Sequence, residues 1–303
     1  MSMSIISAHN LIKDYARVRA LAGVTLDVQD GEIFGFLGPN GAGKTTFVKT
    51  MLGFIGITGG TVNVFERPAG DREVRRRVGY LPENMRLHGF LKGREFLDFA
   101  GKLYGMPKDL RKKRTMEYLD ALNMLDAAER PLREYSKGML QRIGIAQALI
   151  HNPDLLLLDE PTSGLDPIGT KEVRDIILSE KKKGKTIFIN SHLLSEIERT
   201  CDRVAILNKG MIVKKGHLDE LSSKTPSVRV EVTKASKATA KALGKVAQNV
   251  EIDGNVYVII PKDDEAKARI PEILIKSGDQ MVSMAESRES LEDIFYRIIK
   301  EEG

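Results

Sequence analysis

The segment Gly38-Pro39-Asn40-Gly41-Ala42-Gly43-Lys44-Thr45-Thr46 constrains this chain more than any other stretch. An apolar run, Ile33-Phe34-Gly35-Phe36-Leu37, precedes it and reads as a buried strand. Phe47-Val48-Lys49-Thr50-Met51-Leu52 follows and reads as the start of a helix. A G-x-x-x-x-G-K-[ST] loop between strand and helix is a phosphate cradle. Gly38, Gly41 and Gly43 let successive N–H groups point at one concave spot, and the helix N-terminus adds its positive end. Lys44 is expected to reach the β- and γ-phosphates and Thr45 to place its hydroxyl on Mg²⁺, with Asn40 and Thr46 in the same nucleotide-binding set.

A nucleotide site of this kind needs a strand that ends in a carboxylate. Leu155-Leu156-Leu157-Leu158 is too apolar and too short for anything but a strand buried on both faces, and Asp159-Glu160 follows it. Asp159 is expected to hold Mg²⁺, and Glu160 to accept a proton from the water that attacks the γ-phosphate. Between the two motifs lies Tyr135-Ser136-Lys137-Gly138-Met139-Leu140-Gln141-Arg142, at the start of a helix. Ser136 and Gly138 there make a second anion cradle from a free hydroxyl and unpaired N–H groups. One γ-phosphate does not need two cradles from one chain, so the second is expected to serve the nucleotide of another subunit.

Strands alternate with helices through most of the chain, which predicts an α/β fold with a mainly parallel sheet. Ile5–Leu11 and Val24–Val28 alternate like an antiparallel edge, with Lys13-Asp14-Tyr15-Ala16 as a polar bend between them. A helical subdomain is expected over about 90–150, with Leu97, Ala100, Leu103 and Tyr104 on one buried face and Met116, Leu119, Leu122 and Met124 on another. The basic run Arg111-Lys112-Lys113-Arg114 reads as a solvated helix face. A boundary falls in the polar linker Ser222–Ser227, which divides the chain into 1–222 and 227–303. Beyond it the order β-α-β-β-α-β predicts a small ferredoxin-like α+β domain, including one helix over Asp264–Lys276, closed by a helix from Ser290 to Lys300 with Ser290 and Asp293 in a capping-box start.

Composition narrows the partners. The 47 basic residues exceed the 42 acidic ones by only five in 303, too even a balance to argue for nucleic acid, though compatible with an anionic membrane surface. The single cysteine, Cys201, excludes an internal disulfide. No leader pattern and no apolar run of 18 or more is visible, so the chain is not expected to cross a membrane by itself.

Taken together, Gly38–Thr45, Ser136-Lys137-Gly138 and Leu155–Glu160 resemble the Walker A, signature and Walker B motifs of ATP-binding cassette (ABC) ATPases, in the family's order. Ser163-Gly164-Leu165-Asp166 is similar to the D-loop, His192 to the switch histidine and Tyr15 to the A-loop aromatic. The resemblance covers about residues 5–220. It implies that Tyr15 stacks on adenine, that His192 donates to the γ-phosphate and senses its loss, and that Asp166 organises the contact between two head-to-tail subunits. Where the family carries glutamine after the strand Val78–Leu81, this chain has Glu83, which is expected to ligate Mg²⁺ in its place. The signature also departs, with Tyr135, Lys137 and Met139 in place of leucine, glycine and glutamine. Pro82-Glu83-Asn84, the Tyr-Ser-Lys-Gly-Met signature and Ser290–Phe295 resemble the ATPase subunits of two-component exporters. That implies ATP and Mg²⁺ as cofactors, a separate transmembrane permease as partner, and a homodimer or a heterodimer with a related ATPase. The implied place is the cytoplasmic face of the cell membrane. An importer ATPase, or a soluble cassette protein acting on a macromolecular complex, is the other reading the motifs allow.

Overall fold

The computed structural model describes residues 4–85, 87–221, 227–287, 291–292 and 294–295. Its first strands, β1 (Ser4–Tyr15) and β2 (Val18–Gln29), pair antiparallel and run further than the sequence pattern predicts. Lys13-Asp14-Tyr15 is not a bend but the end of β1, and the reversal is confined to Ala16-Arg17, with Ala16 at φ 21°. A cross-strand ion pair accompanies the extension: the Arg19 guanidinium meets both Asp14 oxygens, at 2.8 and 3.1 Å, at the exposed tip of the hairpin. β4 (Gly59–Val64) and β5 (Arg67–Pro68) complete a four-stranded antiparallel sheet of order β2-β1-β4-β5.

A second sheet holds β3 (Ile33–Leu37), β6 (Val78–Leu81), β7 (Leu155–Asp159), β8 (Thr186–Ser191), β9 (Arg203–Asn208) and β10 (Met211–His217), in the order β10-β9-β3-β8-β7-β6. All its pairings are parallel except β9 with β10, so the antiparallel edge of the parallel sheet is β10, and the N-terminal hairpin belongs to a sheet of its own. β6, at the other edge, is four residues long and is followed by Pro82. Lys215 on β10 donates to the Thr25 carbonyl of β2 at 3.1 Å, which covers that edge. β3, β7 and β8 are buried along their whole length. This parallel order brings the C-terminal ends of β3, β8 and β7 side by side, the place where such sheets bind ligands.

The helices are α1 (Lys44–Met51), α2 (Arg72–Arg77), α3 (Gly93–Leu103), α4 (Lys108–Ala121), α5 (Lys137–Leu149), α6 (Pro167–Lys182), α7 (Leu194–Thr200) and α8 (Leu218–Leu221). Phe47 of α1 packs on Phe36 of β3 and Phe188 of β8, with ring centroids 4.9 and 5.9 Å apart, and this anchors the helix that follows the glycine-rich loop. α3, α4 and α5 share a core of Phe96, Leu97, Ala100, Leu119, Leu122, Ile143 and Ala146. Three residues expected in it are outside: Leu103, Met116 and Tyr104, the last 38% exposed and stacked on His151. Leu103 is 72% exposed in the last turn of α3 and Met116 is 47% exposed, while Phe96 takes the buried place. The basic run is not simply solvated: Arg111 bonds Asp98 and the Met106 carbonyl, and Arg114 reaches the Ile150 carbonyl. His151 stacks flat on Tyr104 at a centroid separation of 3.6 Å and bonds the Val78 carbonyl at 3.2 Å, which ties the helical layer to β6.

Two compact units divide the chain, Met1–Leu218 and Asp219–Gly303. The second contains β11 (Ser227–Val232), α9 (Lys237–Leu243), β12 (Ala247–Asp253), β13 (Val256–Pro261), α10 (Asp264–Ala268), α11 (Ile270–Ser277) and β14 (Met281–Ser287). Its sheet is antiparallel throughout, in the order β12-β13-β11-β14, which is the split β-α-β arrangement of a ferredoxin-like fold. Val228, Val230, Tyr257, Ile259, Leu243, Ile270 and Leu274 form its core. The helix expected over Asp264–Lys276 is broken at Arg269, because Pro271 lacks an N–H and its ring would meet the carbonyl one turn earlier. The linker residues 222–226, and Ser290 and Asp293 of the expected closing helix, lie outside the described residues.

Candidate functional site

The loop between β3 and α1 folds as its glycines require. A Cβ at Gly38 would lie 2.3 Å from the Leu207 carbonyl oxygen. Gly43 sits at φ 109°, with a Cβ position 2.3 Å from the Ala20 carbonyl oxygen. No other residue fits this close an approach of backbone to backbone. Lys44 is buried, and its ammonium donates to the Gly38 carbonyl at 2.7 Å and the Pro39 carbonyl at 3.3 Å. Burial pulls the Lys44 pKa down, and the carboxylates of Glu160, Asp159 and Glu83 oppose that shift. The residues expected around a triphosphate converge here. Asn40, Gly41, Gly43, Lys44, Thr45, Thr46, Glu83, Asp159, Glu160 and His192 line one cavity of about 640 Å³.

Opposite the loop, β7 and β8 run in parallel register, with Asp159 beside Asn190. The Asn190 amide donates to Asp159 Oδ1, while Asp159 Oδ2 is buried with no hydrogen-bond partner. Burial pushes the Asp159 carboxyl up to about 6. The Asn190 amide and the Thr45 hydroxyl work against that rise, and the charges of Glu83 and Glu160 add to it. The same burial, with Asp159 and Glu83 nearby, pushes the Tyr80 phenol up to about 12. A buried carboxylate with an unused oxygen, beside a hydroxyl and a second carboxylate, is the donor set a hard divalent cation takes, with phosphate oxygens and water completing the shell. Among the described residues no three His, Cys, Asp or Glu side chains could hold a metal on their own.

Glu160 follows β7 in the left-handed region at φ 53°, a conformation that costs a side-chain-bearing residue roughly 1–3 kcal/mol. Its N–H donates to the Asn190 carbonyl at 2.8 Å. Its carboxylate Oε2 meets His192 Nδ1 at 2.8 Å and Ser191 Oγ at 3.5 Å. A neutral His192 donating from Nδ1 presents Nε2 as an acceptor. Donation from Nε2 to a phosphate requires the imidazolium.

The second cradle stands apart from the first. Ser136 is the N-cap of α5 and accepts from the Met139 N–H at 3.2 Å. Ser136, Lys137, Gly138, Gly164, Leu165 and Asp166 line another cavity of about 570 Å³. Asp166 caps α6, accepting from the Gly169 N–H at 2.9 Å. Tyr135, the first departure in this segment, is buried and donates to the Ala127 carbonyl at 2.6 Å, so the larger side chain fastens the loop ahead of α5 to the helical layer.

Ser136, Gly138 and Asp166 are therefore together, but not with Lys44 or Glu160. Tyr15 is 43% exposed at the end of β1, with the Lys13 ammonium 4.8 Å from its ring centroid. It is not among the residues lining the phosphate cavity, where Val18, Arg19 and Ala20 of β2 stand instead. Sequence reasoning did not single out Val18, Arg19, Asn190, Ser191, Lys209 or Gln141. Their side chains meet the site through strand register and packing, and no motif marks them.

Comparison with known proteins follows the same pattern. The family model described as ABC transporter matches residues 21–163. An uncharacterized ABC transporter ATP-binding protein of Synechocystis sp. is 43% identical over 289 residues, 95% of this chain and 80% of that protein. The bacitracin transport ATP-binding protein BcrA of Bacillus licheniformis is 34% identical over 98% of this chain and 97% of its own length. Among solved structures, an ATP-binding subunit of an ABC transporter superposes with a TM-score of 0.67 at 30% identity, over 72% of this chain and 92% of that one. A bacterial ABC transporter cassette solved as a dimer superposes with a TM-score of 0.66 at 25% identity, over 70% of this chain and 98% of that one.

Proposed function

This chain belongs to the ATP-binding proteins of ABC transporters, which hydrolyse ATP in support of transport, and we propose that it is the ATPase subunit of a two-component exporter. Two copies, or one copy and a related ATPase, meet head to tail beneath a separate membrane permease. The 1–222 region is the cassette and 227–303 an accessory domain. Each nucleotide lies between the loop at Gly38–Thr46 of one chain and Ser136 and Gly138 of the other. The observation that carries this reading is the separation of the two cradles into different cavities of a single chain. Ser136 and Gly138 find a triphosphate only on another subunit. Among the described residues no helix is long and apolar enough to cross a membrane. The exporter reading rests on the resemblance of Glu83, the signature and Ser290–Phe295; the match to BcrA, a bacitracin transport protein, runs through the C-terminal unit and supports transport.

In the proposed chemistry, Lys44 would bind the β- and γ-phosphates, and Thr45, Asp159 and Glu83 would hold Mg²⁺, which would neutralise phosphate charge. Oε2 of Glu160 is engaged by His192 and Ser191, so Oε1 takes the proton of the attacking water. His192 as imidazolium bridges Glu160 and the γ-phosphate, so loss of that phosphate is felt at the base itself. Tyr15 stacks on adenine from the rim. The test is Glu160→Gln, expected to lower turnover by about 10²- to 10⁴-fold while ATP still binds. Affinity capture of that variant from detergent-solubilised membranes with ATP present should recover one polytopic membrane protein in near-equal amount. Recovery of ribosomal or DNA-repair proteins alone, from the soluble fraction, would overturn the transporter assignment.

A further inference from the structure

The backbone turn that presents Glu160 is gripped by a side chain from the helix that starts at the other cradle. Gln141 lies on α5, one turn beyond Lys137, and is 4% exposed. Its Nε2 donates to the Glu160 carbonyl at 2.9 Å and to the Pro161 carbonyl at 3.0 Å. Both partners are acceptors, so only the NH₂ end of the amide can face them. The other bonds to the Glu160 main chain, from its N–H to the Asn190 carbonyl and to its carbonyl from the Ser163 N–H at 3.1 Å, are backbone to backbone. A left-handed glutamate persists only where its surroundings hold it there, and among these bonds Gln141 supplies the side chain that does so. On the same face of α5 the Lys137 ammonium reaches Ser163 Oγ at 3.5 Å, with its stem over Gly164, a longer and exposed contact.

We propose that Gln141 is a positioning residue for the reaction: it fixes the turn after β7 so that the Glu160 carboxylate meets the attacking water. It also links the two half-sites of one chain, since α5 begins at Ser136 and Gly138. The inference rests on Glu160 being the base.

The experiment is steady-state ATP hydrolysis by the full chain, with ATP-analogue affinity and thermal unfolding measured on the same samples. Gln141→Met keeps the bulk and removes both donors; Gln141→Asn keeps the amide but falls one methylene short. Either is expected to lower kcat by about tenfold to a hundredfold, as a misplaced catalytic group does. KM and analogue affinity should stay within about twofold of wild type. Combined with Glu160→Gln, Gln141→Met should cost nothing further, because the group it positions is already disabled. Should Gln141→Met fail to fold, Gln141→Asn carries the same comparison. Near-wild-type kcat in Gln141→Met, alongside an inactive Glu160→Gln, overturns the positioning role and leaves the base assignment standing. So does a loss of kcat that arrives together with lost affinity and a lowered Tm, or one that adds in full to Glu160→Gln. Wild-type turnover in Glu160→Gln itself would instead remove the base on which the inference rests.

Discussion

The loop ahead of α1 and the loop ahead of α5 each lead into a helix N-terminus, the two places proposed for phosphate, yet they are built to different depths. The first carries a buried lysine on two loop carbonyls and faces Asp159, Glu160 and His192 across one cavity. The second has an exposed serine cap and an exposed lysine, and of the two carboxylates lining its cavity, Asp126 and Asp166, the latter is engaged in capping α6. The contrast follows from where each loop springs. The first ends a central parallel strand, so strand register delivers the chemistry of β7 and β8 to its mouth. The second begins a helix of the outer layer, where no strand end points. On the proposed reading, one cradle holds the reacting groups and the other only a grip on charge.

Substitutions can separate the two. The largest effect should come from Lys44→Met, which removes the buried cation: nucleotide affinity is expected to fall about a hundredfold or more, read by titration with an ATP analogue. The Tm without nucleotide should hold or rise, since burial already works against that ammonium. Ser136→Ala should do the opposite. Affinity of the isolated chain for ATP stays put, while turnover at saturating ATP drops about tenfold to a hundredfold, the worth of one hydrogen bond to a charged group. If Ser136→Ala weakens binding by the single chain as much as Lys44→Met does, the two cradles are not distinct in kind.

An effect on stability, leaving turnover at neutral pH little changed, belongs to a histidine outside both. Burial holds His151 down at about 4, against an ordinary 6.5. The unfolded chain takes up its proton below about pH 6.5 and the fold resists until about pH 4. Stability is therefore intact above the first value and lost as pH falls through the second, by up to about 3 kcal/mol. His151→Gln should flatten that acid limb in a series of melting curves, with turnover at neutral pH little changed.

How far the chain could be read in advance divides along the same line. Gly38–Thr46, Asp159-Glu160 and Ser136–Gly138 were legible because each is a run of adjacent residues whose chemistry depends on local backbone. The β-α-β-β-α-β order of the second unit was legible from alternation alone, and its sheet order follows. Gln141 was not, because an amide in the middle of a helix says nothing until the turn it grips is folded beneath it. Asn190 is set by the register of β7 on β8, a contact 31 residues apart in sequence. Leu103 and Met116 fit helical periodicity but fall outside the shared core of α3, α4 and α5, and Tyr15 fits its motif while β2 supplies the residues that line the cavity.

The two ends of the six-stranded sheet carry one more consequence. β6 is too short to template another strand and stops at Pro82, while β10 is tied down by a lysine bond to β2. Neither edge invites a second chain to add on, which is how open sheets pass into fibres. Strand addition at this sheet is therefore disfavoured, and a contact between copies through the cassette is left to its loops and helices.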